Sequence, residues 1–166
     1  MPPVDIWGID AYPLDWVNTP NSVQHASVVI DELKGMRQYL NTIPEYQNTP
    51  IWITEIGLHV GYDGWSMDEQ GNLSPVGSYH WDKMSDYLIT LLDWLEVNAS
   101  SSKIPRWFFF TTWKDIINVG SDGYMGIIFF DGRAEGASLN CLGETYRARA
   151  LGLPKVKCDA SGNTVA

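Results

Sequence analysis

Basic residues are scarce in this chain. Eleven Lys and Arg stand against twenty Asp and Glu, a net charge of −9 at pH 7. An acidic protein is repelled at long range by nucleic acid and by anionic membrane surfaces, so neither is expected as a partner. Cysteine is scarcer still: Cys141 and Cys158 allow one disulfide at most, not a disulfide framework, and neither their spacing nor their neighbours suggest a metal site. Long apolar runs are missing too. No stretch approaches the roughly 18 apolar residues that span a bilayer, and Met1 to Asp5 has neither the basic region nor the apolar run of a signal peptide. A dinucleotide fingerprint is also lacking, because Gly8 sits inside an apolar run with no G-x-G-x-x-G around it.

What is present is a sizeable core and many rings. Of 166 residues 45% are hydrophobic, enough for one domain or part of one, and eight Trp and eight Tyr are many for this length. Such rings stack on sugar faces, yet they serve equally as large core residues, so their number alone assigns no function. Val4 to Tyr12, closed by Pro13, reads as a strand buried on both faces. Apolar residues from Val23 through Val29, Leu33 and Met36 to Leu40 then recur with helical spacing, capped by Asn21 or Ser22, over about 18 residues. Pro50 introduces a second strand, Ile51 to Gly57, and a loop rich in Gly, Asp, Ser and Asn follows it. Trp81, Met84, Leu88, Leu91, Leu92 and Leu95 mark a second helix, with Ser74-Pro75 as its opening signal. Pro105 introduces a third strand, Arg106 to Trp113, and a short helix near Leu142 to Leu151 is stopped by Gly152 and Pro154. Past Lys155 the pattern predicts a loosely ordered tail.

The order strand, helix, strand, helix, strand, helix predicts an α/β fold of about three parallel βα units with long loops after the strands. Functional groups in such folds gather at the C-terminal strand ends, which here means Asp10 with Tyr12, Glu55, and Trp113 with Asp115. A buried carboxylate needs a reason, and Glu55 at a strand end is more readily explained by chemistry than by a structural ion pair. Alternation along the strand puts Ile51, Ile53 and Gly57 on the face of Glu55, with Trp52, Thr54 and Ile56 towards the helices. The same alternation pairs Asp10 with Tyr12, whose hydroxyl can donate to a neighbouring carboxylate. For Asp10 a polar pair at the core edge and a substrate contact are equally good readings. Trp113 is read as an aromatic floor for a pyranose ring.

Ile51-Trp52-Ile53-Thr54-Glu55-Ile56-Gly57 resembles the W-x-T-E-x-G strand of a large clan of retaining (β/α)8 glycoside hydrolases that includes cellulases, mannanases, β-galactosidases and xylosidases. In that clan the motif is the seventh barrel strand and its Glu is the nucleophile. Asp5 to Pro13 is similar to the sixth strand, D-x-x-G-x-H-x-Y-P, whose Tyr contacts the nucleophile; Tyr12 matches it and Asp10 replaces the usual His. Trp107 to Trp113 resembles the eighth strand, whose terminal Trp lines the subsite of the cleaved sugar. Gly126 to Gly132, followed by Gly143-Glu144-Thr145-Tyr146, resembles the closing loop and last helix. The resemblance implies a partial TIM (β/α)8 barrel over residues 1–154 with a tail at 155–166. It implies Glu55 as nucleophile, Tyr12 as the residue that orients it, and substrate contacts from Asp10, Trp113, Tyr62 and Trp65. Oligo- or polysaccharide is the implied substrate, and an extracellular parent protein is favoured.

Retaining hydrolysis needs two carboxyl groups about 5 to 5.5 Å apart. The clan's acid/base follows an Asn, and no Asn-Glu dipeptide exists here. Little activity is therefore expected of the 166 residues alone, and a non-catalytic carbohydrate-binding or pseudoenzyme module is the alternative. An open barrel edge would also invite self-association. No cofactor and no metal are expected: Asp63, Asp68, Asp122 and Asp131 read as solvated turn residues rather than calcium ligands. The sequons at Asn72 and Asn98 carry little weight.

Overall fold

The structure, a computed structural model, describes residues 3–12, 26–57, 60–61, 64–77, 79–110, 129–131 and 136–166. These contain β1 (Trp7–Ala11), α1 (Ala26–Asn41), β2 (Ile51–Ile56), β3 (Trp65–Met67), β4 (Leu73–Pro75), α2 (Trp81–Asn98), β5 (Arg106–Phe109), α3 (Cys141–Ala150), β6 (Lys157–Cys158) and β7 (Thr164–Val165). The chain divides into two compact units. The first is Met1–Pro13, Gln24–Gly57 and Thr90–Phe110; the second is Leu14–Val23, Leu58–Ile89 and Thr111–Ala166.

The first unit holds a three-stranded parallel sheet in the order β1-β2-β5, so the expected α/β fold with parallel strands is what forms. Its core is aliphatic: Val29, Leu33, Leu40, Ile51, Ile53, Ile56, Leu95 and Ile104 are all fully buried. On α1 the buried positions Val29, Ile30, Leu33 and Leu40 follow the helical period. The same period brings Arg37 inside at 6% exposure. Its guanidinium donates to the carbonyls of Thr49 (2.8 Å) and Tyr46 (3.1 Å) and to Asn41 Oδ1 (3.1 Å), so the turn between α1 and β2 is held by buried charge-assisted hydrogen bonds. Burial lowers the Arg37 pKa from its ordinary value. Tyr39, one residue before Leu40, is 61% exposed.

The second unit contains two small antiparallel hairpins and α3. The polar stretch after β2 is thus not featureless: it folds as β3 and β4, and Ser74-Pro75 ends β4 rather than opening α2, which starts at Trp81. The two hairpins share a turn. Asp68-Glu69-Gln70-Gly71-Asn72 and Asp159-Ala160-Ser161-Gly162-Asn163 both read D-x-x-G-N. In each, the Asp Oδ1 accepts two backbone N–H groups, from Gln70 and Asn72 or from Ser161 and Asn163, and its Oδ2 accepts the Asn side-chain amide. Gly71 (φ 85°) and Gly162 (φ 84°) supply the left-handed residue that the turn demands. These bonds, led by that of the Asn side chain, hold both carboxyls below their ordinary pKa.

The segment after Lys155, expected to be loosely ordered, carries β6 and β7. A disulfide joins Cys158 on β6 to Cys141 at the start of α3. The Cys158 N–H also donates to the buried Ser85 hydroxyl at 3.0 Å. Asn140 caps α3, its side chain accepting the Gly143 N–H at 3.0 Å. None of the helices among the described residues is long and apolar enough to cross a membrane.

Candidate active site

Strand β2 does not alternate simply. Ile9 pairs with Ile53 and the next residue of β1, Asp10, pairs with Glu55, so Thr54 has no opposite number on β1. On the other side Ile53 pairs with Trp107 and Ile56 with Phe109, three steps on β2 against two on β5. This is a β-bulge at Thr54-Glu55, and it changes which way the side chains face. Burial runs buried, half-buried, buried, exposed, half-buried, buried from Ile51 to Ile56. The alternation expected from the sequence, with Trp52 and Thr54 towards the helices and Ile51 and Ile53 beside Glu55, is therefore corrected. Ile51, Ile53 and Ile56 are the core residues, while Thr54 is exposed and Glu55 half-buried. The extra residue in the bulge resets the period between Ile53 and Ile56.

The bulge is tied to β1 by one hydroxyl. Thr54 Oγ1 lies 2.7 Å from Asp10 Oδ1 and 3.1 Å from the Ile9 carbonyl oxygen. Next to it, the Tyr12 hydroxyl donates a hydrogen bond to Glu55 Oε2. Thus the end of β1 and the end of β2 bring together two carboxylates, a phenol and a threonine hydroxyl. The Tyr12 phenol is pushed well above the ordinary tyrosine pKa, by burial first and then by its hydrogen bond to Glu55 and by the charges of Glu55 and Asp10. Tyr12 is therefore a neutral donor at any physiological pH. Phe110 packs against it, ring centroids 6.5 Å apart.

The expected site residues separate into three groups. Glu55, Tyr12 and Asp10 are brought together. Trp113 and Tyr62 lie outside the described residues, as does Asp115. Trp65, expected to line an outer subsite, is 2% exposed: its ring passes over Gly61 and meets Trp81 edge-on at 6.5 Å, a core position that leaves no free face for a sugar. Asp68 is consumed by its hairpin turn. A groove of about 520 Å³ lined by Pro50, Lys103, Pro105 and Trp107 lies at the opposite, N-terminal ends of β2 and β5 and includes none of these groups.

Residue type alone did not single out Thr54 or Gly57. The signal that could have found Thr54 is its position beside Glu55 and across from Asp10, but only the bulge makes those side chains meet.

Comparison with known proteins decides the family. The family model described as the glycosyl hydrolase catalytic core matches residues 23–146 of this chain. The chain belongs to the glycosyl hydrolase catalytic core family. A solved structure with a similar fold, a β-glucosidase from Exiguobacterium marinum, superposes with a TM-score of 0.53 at 18% sequence identity. The superposition covers 89% of this chain and 35% of that one, so this glycosyl hydrolase chain spans about a third of that enzyme's length. No curated protein matches the chain in sequence.

Proposed function

We propose that this chain carries the nucleophile side of a retaining O-glycoside hydrolase, with Glu55 as the nucleophile and Tyr12 as the residue that orients it. The observation that carries the proposal is the hydrogen bond from the neutral Tyr12 hydroxyl to Glu55 at the end of a parallel strand. The donated hydrogen bond fixes one oxygen of the carboxylate. The other oxygen is then the one available to attack an anomeric carbon. Asp10 stands beside the pair as a contact for sugar hydroxyls, and Trp113 and Tyr62 are proposed as stacking rings. The substrate class is an oligo- or polysaccharide.

The three parallel strands are proposed as part of a TIM barrel, strands six to eight in order, with residues 1–154 as its C-terminal portion. The TM-score of 0.53 to a β-glucosidase over 89% of the chain supports this. The sheet face bearing Trp52, Phe108 and Phe110 would then look into the barrel. Phe108 and Phe110 are 47% and 45% exposed, with Trp52 and Phe108 centroids 6.0 Å apart. That aromatic face and the edge strands β1 and β5 are the surface through which the chain would self-associate. The disulfide suits folding in an oxidising compartment, in line with a secreted parent protein.

No general acid is assigned among the described residues. Asp10 is already engaged by the Thr54 hydroxyl, 2.7 Å from its Oδ1, and is proposed as a substrate contact rather than as the acid. For that reason the isolated chain is expected to turn over little, and a carbohydrate-binding module without chemistry is the second reading. Incubation with an activated fluorinated glycoside separates the two. Covalent labelling of Glu55, abolished in Glu55→Gln, supports the nucleophile. Labelling elsewhere refutes that assignment, and saccharide binding with no labelling supports the module.

A further inference from the structure

The sequence presents Gly57 as the glycine that ends a strand, but the structure gives it a more specific position. Glu55 and Gly57 are two residues apart, so they share a face of the chain just beyond the bulge. Tyr12 continues from β1 and must cross that face to bring its hydroxyl to Glu55. It does so directly over the Gly57 α-carbon: a β-carbon built there would overlap Cδ1 and Cε1 of the Tyr12 ring and lie 2.9 Å from its Cγ. Gly57 is buried, and its N–H donates to the Ala11 carbonyl at 3.0 Å, one residue before Tyr12. That bond pins the glycine backbone to β1, so the strand cannot easily draw back to make room. No left-handed φ is involved, since Gly57 is not among the positive-φ glycines. The demand is for space alone.

We infer that Gly57 is a positioning residue for the catalytic carboxylate: the hydrogen on its α-carbon is the only substituent that lets Tyr12 lie flat enough to hold Glu55. Any side chain at position 57 swings the phenol off the carboxylate. The nucleophile then loses its fixed orientation while keeping its identity. The inference rests on the proposed role of Glu55, but the contact itself is a matter of packing and is tested apart from it.

The experiment compares Gly57→Ala, Tyr12→Ala and the double variant in the whole chain. Overpacking a buried site of this kind lowers the thermal midpoint by roughly 3 to 10 °C. Gly57→Ala should show that loss, and the same substitution in the Tyr12→Ala background should show none, because the ring it would strike is gone. Tyrosine ring NMR supplies the second readout, with Tyr12→Ala assigning the signal. In the unsubstituted chain the Tyr12 ring should stay protonated above the pH at which an ordinary tyrosine titrates, about 10. In Gly57→Ala, with the hydrogen bond to Glu55 lost, its titration should move down towards that of ordinary tyrosines. If Gly57→Ala does not fold, a double variant as stable as Tyr12→Ala supports the inference. A midpoint loss of equal size in both backgrounds, or an unaltered Tyr12 titration in a folded Gly57→Ala, overturns it. Failure of the fluorinated glycoside to label Glu55 while these packing results hold would instead remove the hydrolase reading.

Discussion

Breaking the disulfide between Cys141 and Cys158 should cost the second unit about 3 kcal/mol. The bridge closes a segment with a sequence separation of 17 residues. The entropy removed from the unfolded chain by a loop of that length corresponds to about 3 kcal/mol at 25 °C. The elements it joins have little stability of their own. At 10 residues α3 is shorter than helices that persist alone, and β6 and β7 are two residues each. Other groups share the load: both cysteines are buried, and the Cys158 N–H is bonded to Ser85. Urea unfolding of the oxidised protein, the reduced protein and the Cys141→Ser/Cys158→Ser variant gives the comparison. Reduction alone tests the chain-entropy contribution, and the serine variant adds the cost of two buried hydroxyls. Hydrogen exchange should show the backbone amides of α3 and the 157–165 hairpin losing protection first. Equal urea midpoints for the oxidised and reduced proteins would refute the reasoning, since the cross-link would then constrain nothing that unfolding releases.

Replacing Arg37 by Met should destabilise the first unit by about 3 kcal/mol, because the carbonyls of Thr49 and Tyr46 lose buried charged donors; denaturant titration measures it. Tyr12 binds its proton more tightly in the folded protein than in the unfolded one. Its contribution is therefore complete below about pH 10, the ordinary tyrosine value, and is lost as pH rises towards the folded value. Tyr12→Phe should accordingly flatten the decline in stability above about pH 10, which urea titrations over a pH series would measure. Light scattering of the chain should give a mass above that of one copy if the exposed aromatic face and the sheet edges associate. A dilute monomer across a concentration series would count against that surface.

Much of the architecture was legible in the sequence because it rests on local rules. Pro50 and Pro105 punctuate two β-branched or aromatic runs, and the apolar spacing from Val29 to Leu40 can bury one stripe only if it coils at 3.6 residues per turn. The D-x-x-G-N turns were equally local and could have been read as a repeat, since Gly and Asn at fixed offsets from Asp are what the turn chemistry needs. Arg37 was not legible, because the same helical period that buries leucines buries a guanidinium whenever carbonyls from a later turn come within reach.

The same division holds at the candidate site. Glu55, Tyr12 and Asp10 were singled out by their position at strand ends, which sequence order and alternation fix. Their meeting was decided by tertiary structure, because one extra residue in β2 shifts the register against both neighbours and turns Thr54 and Glu55 towards Asp10 and Tyr12. A bulge costs one ladder pairing and leaves no mark in composition or periodicity. Trp65 shows the converse. An aromatic residue in a polar loop has the composition of a binding surface, yet Gly61 offers its ring a flat bed and Trp81 an edge, so the ring is buried. Sequence settles which groups reach the end of a strand; what they touch there depends on register and on the space that a glycine leaves.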